Sequence, residues 1–272
     1  MKKVVSIALF GNIEKYAPYL RAFVLAHHNI FPERDGWMLF VNTSERTLHE
    51  FPLLGGAHGS LIHVTLNASA PLTRAMLWRL KPVFQPVDRE PIEPCYSDYV
   101  FCRDLDALPT PRDRMCCDQF IASGAVVHTI HDNVMHEGIM GGLCGFDAQA
   151  VRKLVPNSET IAKSSGFTDE QWAVHGADQI ALNRFFLRRG GPKLFEHRYN
   201  GWSHAKPQQM PARAAGRYMC PAISAPIPDS DDVRDTLVNH MGSAGYDHRA
   251  AEEYYITHGD PEVARRVREW WP

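Results

Sequence analysis

The chain lacks a long apolar run, an excess of charge of either sign, a CxxC pair and any internal repeat. Without an uninterrupted apolar stretch of about 18–20 residues, no segment reads as a membrane-spanning helix. Lys plus Arg number 29 against 31 Asp plus Glu, a formal net charge of −2. That balance argues against a basic nucleic-acid binder and against an acidic disordered tail. The six cysteines (95, 102, 116, 117, 144 and 220) include an adjacent pair at 116–117 and no metal-ribbon spacing. Reduced thiols are expected, not a disulfide framework or a zinc ribbon. The opening MKKVVSIALFGN has two lysines and an apolar stretch, but VVSIALF is short for a signal peptide and has no small-residue cleavage site after it. It reads as a buried first strand. What the chain does have is 272 residues, 44% hydrophobic and 22% charged, enough for one large α/β domain or two small ones.

Apolar runs and helical spacing alternate through the first half. Strands are expected at 4–10, 37–42, 60–66, 98–104, 126–132 and 192–197. Helices are expected at 14–28, 44–54, 72–84, 147–154 and 169–189. This alternation predicts a mostly parallel central sheet with right-handed crossovers, flanked by helices. After about residue 207 the Pro- and Ala-rich PQQMPARAAGRYMCPAISAPIPDSDD reads as an extended wrap, followed by helix from about Arg249 to Trp271 with Pro261 placed for a helix start. The expected organisation is a catalytic domain over 1–207 and a C-terminal extension over 208–272 that packs on it. Trp270 and Trp271, with Arg265, Arg266 and Arg268 nearby, suit either packing on the domain or peripheral contact with a membrane or partner.

The informative segment is DYVFCRDLDALPTPRD (98–113). An apolar strand runs into Asp104-Leu105-Asp106. If the strand continues, side chains i and i+2 share a face, so both carboxylates turn to the crevice at the carboxyl ends of the strands. Two carboxylates about 4 Å apart repel by about 4 kcal/mol at an effective dielectric of 20. A hard divalent cation, Mg²⁺ or Mn²⁺, would offset that and hold a diphosphate. Downstream, VHTIHDNVMHEGIMGGLCG carries Asp132 and His136, suited to hydroxyl-rich substrates, and Gly141-Gly142, which permit close backbone approach. GADQIALNRFF sets Asp178 and Gln179 at a helix start, where Asp178 also suits capping. FEHRYNGWSHAKP supplies His197 and His204, each suited to be a third metal ligand as neutral imidazole.

Taken in order, these pieces resemble the GT-A fold nucleotide-sugar glycosyltransferases, in particular bacterial and viral glycosyltransferase-like proteins. The similar pieces are SIALFG, the Lys15-Tyr16 helix, MLWRLKPVF, RDLDALPTPRD, VHTIHDNVMHEGIMGGLCG and ADQIALN, over about residues 4–200. The Asp-x-Asp, the DQxxLN helix and a His after the last strand are shared with the glycogenin-like retaining families. The resemblance implies a Rossmann-like GT-A sheet and transfer of a sugar from a nucleoside-diphosphate sugar, UDP- before GDP-, to an acceptor hydroxyl in polysaccharide or glycoconjugate synthesis. It implies that Asp104 reaches the donor ribose or the metal, that Asp106 is the principal ligand of Mn²⁺ or Mg²⁺, and that His197, with His204 as second choice, completes the site. Phe10, Gly11 and Asn42 would line the base. Arg79 and Arg103 would face the donor phosphates or brace the site. Asp178 and Gln179 would contact the transferred sugar. Inversion would need a base, Asp178 or Asp132; retention, which the DQ helix favours, would not. Ala107 replaces the usual Ser after the second Asp, and His131-Asp132-Asn133 replaces the usual RDH. Two other readings are a non-catalytic nucleotide-sugar-binding protein and a haloacid-dehalogenase-type phosphatase, although the latter carries DxDGT on its first strand. A cytoplasmic location, without nucleic-acid partners, is expected.

Overall fold

The computed structural model describes residues 1–11, 13–50, 61–86, 95–131, 136–198, 219–228 and 248–270. Eight strands form one sheet in the order β3-β2-β1-β4-β6-β5-β7-β8. They are β1 (Lys3–Ala8), β2 (Trp37–Ser44), β3 (His63–Asn67), β4 (Tyr99–Arg103), β5 (Val127–His131), β6 (Leu143–Asp147), β7 (Leu194–Arg198) and β8 (Ala222–Pro226). All pairings are parallel except those of β6, which runs antiparallel to both β4 and β5. This is the mixed α/β, mostly parallel architecture that the alternating apolar runs predict.

The helices are α1 (Ile13–Ile30), α2 (Glu45–Glu50), α3, α4 (Pro111–Ser123), α5 (Ala148–Leu154), α6 (Ser158–Ser164), α7 (Asp169–Trp172), α8 (Ala177–Phe186), α9 (His248–His258) and α10 (Pro261–Trp270). Here α3 is one helical stretch made of Leu72–Ala75, a tighter turn Met76–Leu80, and Lys81–Phe84. Strand alternation gives the sheet two apolar faces. Val5, Ile7, Leu39, Val41, Phe101 and Phe195 meet α1, α4, α9 and α10 on one face. Val4, Phe40, Val100, Cys102, Cys144 and Phe146 meet α3 and α5–α8 on the other.

Five elements depart from the sequence expectations, one of them α6, whose residues carried no expectation of helix. Strand β6 lies where only a connecting glycine-rich segment was expected. It is short, and Gly145 is required there because a Cβ would sit 2.7 Å from the Phe101 ring. Helix α4 buries only Cys116, Cys117 and Phe120 and therefore shows little periodicity. Its start is nonetheless marked by the Thr110 cap, whose hydroxyl accepts from the Asp113 N–H at 3.1 Å, and by Pro111. The helix expected over 169–189 is two, because Gly176 adopts a left-handed φ of 81° between α7 and α8. Residues 222–226, expected as an extended wrap, join the sheet beside β7. Trp270 packs partly buried against the α1 face of the core; Trp271 lies outside the described residues.

Candidate active site

In the order β2-β1-β4 the chain direction of travel across the sheet reverses at β1, and the crevice beyond the carboxyl ends of β1 and β4 is where open α/β sheets take ligands. Strand β4 ends at Arg103, so Asp104, Leu105 and Asp106 form a turn, not a continued strand. The two acids are therefore not held together by strand alternation. Leu105 is instead buried beneath them.

Asp104 is positioned by the sheet edge. Its N–H donates to the Gly142 carbonyl at 3.3 Å, extending the β4–β6 pairing by one residue. Its carboxylate Oδ1 pairs with Nη1 of Arg79, from α3. The other terminal nitrogen of that guanidinium, Nη2, lies 3.4 Å from Oδ2 of Asp178, the second residue of α8. The Arg79 side chain is 3% exposed and that of Asp178 is 8%. Burial opposes the charge on Arg79, but Asp104 and Asp178 together outweigh it and keep the guanidinium protonated. Burial pushes the Asp178 carboxyl above its ordinary value, Arg79 pulls it back, and Asp104 raises it. Asp106 is likewise raised, first by burial and then by the charge of Asp104, with Lys15 and Arg79 opposing.

The two glycines complete this cluster. A Cβ on Gly141 would lie 2.5 Å from Oδ2 of Asp178 and 3.4 Å from Nη2 of Arg79, and one on Gly142 would overlap the Asp104 carboxylate. Their turn is tied down on three sides. Thr129 Oγ1 donates to the Gly138 carbonyl at 2.9 Å, His131 Nε2 meets the same carbonyl at 2.6 Å, and the Ile139 N–H donates to Asn183 Oδ1 of α8 at 2.6 Å. Beneath the cluster, the thiols of Cys102 and Cys144 donate to the carbonyls of Arg79 and Gly141 at 3.7 and 3.6 Å. Arg79, Asp104, Asp178, Gln179, Gly141 and Gly142 thus come together, with Asp106 and Lys15 alongside.

Phe10 and Gly11, after β1, line a neighbouring cleft of 390 Å³ with Ser44, Thr47 and Trp78. Phe10 packs edge-on to Trp78 at 5.2 Å. Asn42 is fully buried below, its amide donating to Ser6 Oγ at 2.8 Å and to the Ile7 carbonyl at 3.0 Å. Its Oδ1 has no hydrogen-bond partner among the described residues. Asn42 thus supports the strand ends from beneath.

Two expected members stand elsewhere. Arg103 points to the α4 face of the sheet, where it grips both Asp113 carboxylate oxygens at 3.0 and 2.6 Å and the carbonyls of Cys102 and Cys144. It braces the fold and does not face the cleft. His197, expected as a metal ligand beside the acids, points to that same opposite face. Its Nδ1 lies 2.7 Å from Nε2 of His128 and its Nε2 2.8 Å from Oε1 of Gln119, so both ring nitrogens are engaged. Burial holds its pKa down at about 4. Strand alternation explains the difference: the β7 residue facing the Asp104 side is the buried Glu196, which pairs with His131 at 2.8 Å. His136 lies half-buried near the glycine turn. Asp132 and His204 lie outside the described residues. Sequence reasoning gave no role to Lys15, Asn183 or Glu196; Asn183 was signalled only as the last residue of the DQxxLN motif.

Among the described residues no group of three or more His, Cys, Asp or Glu is placed to hold a metal, and no helix is long and apolar enough to cross a membrane. No protein-family model and no curated protein matches the chain. Among solved structures, the glycosyltransferase GlyE in Streptococcus pneumoniae TIGR4 aligns over 99% of this chain and 63% of its own, at 14% identity and a TM-score of 0.49. The chain therefore spans under two thirds of that protein's length. A 4-diphosphocytidyl-2C-methyl-D-erythritol synthase from Anaerococcus prevotii DSM 20548 aligns over 63% of this chain and 80% of its own, at 9% identity and a TM-score of 0.41. Mouse xyloside xylosyltransferase 1 aligns over 67% and 79%, at 14% identity and a TM-score of 0.33.

Proposed function

We propose that the chain transfers a glycosyl group from a nucleoside-diphosphate sugar, UDP- in preference to GDP-, to an acceptor hydroxyl in polysaccharide or glycoconjugate synthesis. The observation that carries this reading is the single buried guanidinium of Arg79 bridging Asp104 and Asp178, packed against two glycines at which any Cβ would collide with the carboxylates. The family and the donor preference rest on the motif resemblance.

The donor set fits a hard divalent cation. The oxygen of Asp104 that pairs with Arg79 is Oδ1, and the Asp106 carboxyl is raised first by burial and then by the charge of Asp104, a charge a cation would offset. Mg²⁺ and Mn²⁺ sites commonly use one or two carboxylates, with substrate phosphates and water in the remaining positions, so a third protein ligand is not required. Asp104 and Asp106 would hold the ion, and His197 would not. Such an ion, when bound, neutralises charge growing on the leaving diphosphate.

The protein's own groups do the rest. Arg79 fixes both carboxylates before substrate arrives, which limits reorganisation during reaction. Asp178 and Gln179, at the first turn of α8, orient the sugar hydroxyls. Asp178 is nearly buried and already paired with Arg79, an unsuitable position for a base that must reach a solvent-side acceptor. This argues against Asp178, though not Asp132, as the base of an inverting reaction, and together with the DQ motif it favours retention, with the leaving phosphate oxygen taking the acceptor proton.

Two outcomes are expected. Asp106→Asn should raise the Mn²⁺ concentration for half-maximal UDP-sugar hydrolysis by at least about tenfold; an unchanged metal titration would remove Asp106 from the site. Gly142→Ala should displace the Asp104 carboxylate and lower turnover by about a hundredfold while the thermal midpoint changes little. Near-normal turnover would show that the placement of Asp104 is not critical.

A further inference from the structure

A second cleft lies on the far side of Trp78. Residues 74, 77, 78, 81, 84 and 85 recur at three- and four-residue spacing, so they form one face of α3. That face is unusual in composition: Trp78 and Phe84 flank Lys81, with Arg74 one turn before Trp78. The facing walls are the turn after β3, including Ser69 and Pro71, and the Pro156–Glu159 connection between α5 and α6. They enclose 460 Å³, within the range of about 300–1,000 Å³ usual for small-ligand sites. Ser69, Ala70 and Trp78 line this cleft and the Phe10 cleft alike, so the two share a wall.

The charges are unequal. Arg74 is matched by Glu159 across the cleft. Lys81, half-buried, has no carboxylate partner among the described residues. Among the described residues the cleft is thus lined by one cation without a carboxylate partner, with Trp78 and Phe84 in the same wall. Aromatic faces are electronegative and attract the polarised C–H groups of a pyranose ring. A lysine ammonium is a compact charge for one anionic group. The exposed Gln85 amide and Ser69 hydroxyl at the rim offer both donors and acceptors to sugar hydroxyls. A diphosphate, with two or more negative charges, would exceed what the one unpaired cation among the described lining residues balances.

We propose that this cleft binds a saccharide bearing a single acidic group, its ring between Trp78 and Phe84 and its acid at Lys81. The carboxylate of a uronic acid and the phosphate of a sugar monophosphate share this chemistry. The site is separate from the Asp104 cluster and does not require the transfer reaction.

Calorimetric titration of the full chain tests it. The probes are trigalacturonate, galactose 6-phosphate, neutral galactotriose and inorganic phosphate, with UDP in parallel. Saturable binding of at least one acidic saccharide is expected, tighter than that of galactotriose or inorganic phosphate. Which acid binds more tightly identifies the source. Lys81→Gln should weaken it about tenfold, the scale of one charge-assisted contact, while leaving UDP binding unchanged. Phe84→Leu, which keeps the apolar volume, should also weaken it with the thermal midpoint preserved. Absence of saturable binding, inorganic phosphate binding as tightly as the sugar phosphate, or affinities that neither variant changes would each overturn the proposal. Loss of UDP binding by the unmodified chain would count against the transfer reading and not against this cleft.

Discussion

Arg79→Met is expected to cost about 3–5 kcal/mol of folding stability and to abolish donor turnover. Asp178 carries most of the stability loss, because its side chain is 8% exposed and the guanidinium is its ion-pair partner. Methionine fills similar volume but leaves that carboxylate buried without compensation. It must then bind a proton, draw in water or move. Asp104, more exposed at 45% of its side chain, can turn to solvent and contributes little to the energy, but its placement beside Gly142 is lost. Urea unfolding of the single variant, of Asp178→Asn and of the double variant separates the effects. If the orphaned carboxylate is the cause, Asp178→Asn in the Arg79→Met background recovers most of the loss, giving a strongly non-additive cycle. A single variant within 1 kcal/mol of the parent, a limit well below the roughly 3–5 kcal/mol expected, would show that Arg79 does not organise the site.

Stability is also expected to fall steeply between pH 6.5 and pH 4. Burial lowers His28 and His197 from an ordinary 6.5 to about 4 each. His27 and His128, fully buried, are lowered in the same direction by burial and then by a neighbouring histidine. The sign follows from proton counts. Below 6.5 the unfolded chain protonates these rings while the folded chain does not, so acid favours unfolding; above 6.5 both states are neutral and there is no slope. A fall from 6.5 to about 4 corresponds to roughly 3 kcal/mol for each ring, reached only near pH 4. Packing explains why the folded state resists protonation. The Nε2 of His28 lies 2.9 Å from the Leu61 carbonyl, which favours the proton, but burial outweighs it. His128 stacks on Phe120 at 4.9 Å. Urea titrations at pH 7.5, 5.5 and 4.5 measure the slope. A slope that His28→Gln and His197→Gln leave unaltered would assign acid sensitivity to other groups.

The strands were legible where burial on both faces produces unbroken apolar runs, as in VVSIALF and WMLFVN, because such runs need no partner to be recognised. Strand β6 was not legible, since its Gly145 answers to the Phe101 ring of a neighbouring strand and carries no local signal. Helix α4 was hidden by its polar surface although its Thr110-Pro111 start was plain. At the site, Asp104, Asp178, Gly141 and Gly142 were readable from type and order. The bridge between them was less so: Arg79 was noted, but its placement between the two acids depends on the approach of α3 to α8, which no spacing encodes. The pairing of Asp104 with Asp106 was argued from strand alternation that stops at Arg103. His197 was misplaced for a related reason. In β7 every second side chain leaves by the opposite face, and the neighbouring Glu196 and Phe195 already indicated which face was apolar.

The antiparallel course of β6 has a further effect on how such a protein can diversify. Because β5 leaves the rim of the sheet and β6 re-enters at the same rim, residues 136–142 reach β6 from beside the acids, with Gly138, Ile139, Gly141 and Gly142 buried there. Side chains added within this turn would press on Asn183, Asp178 and Asp104, so the room for change lies outside it.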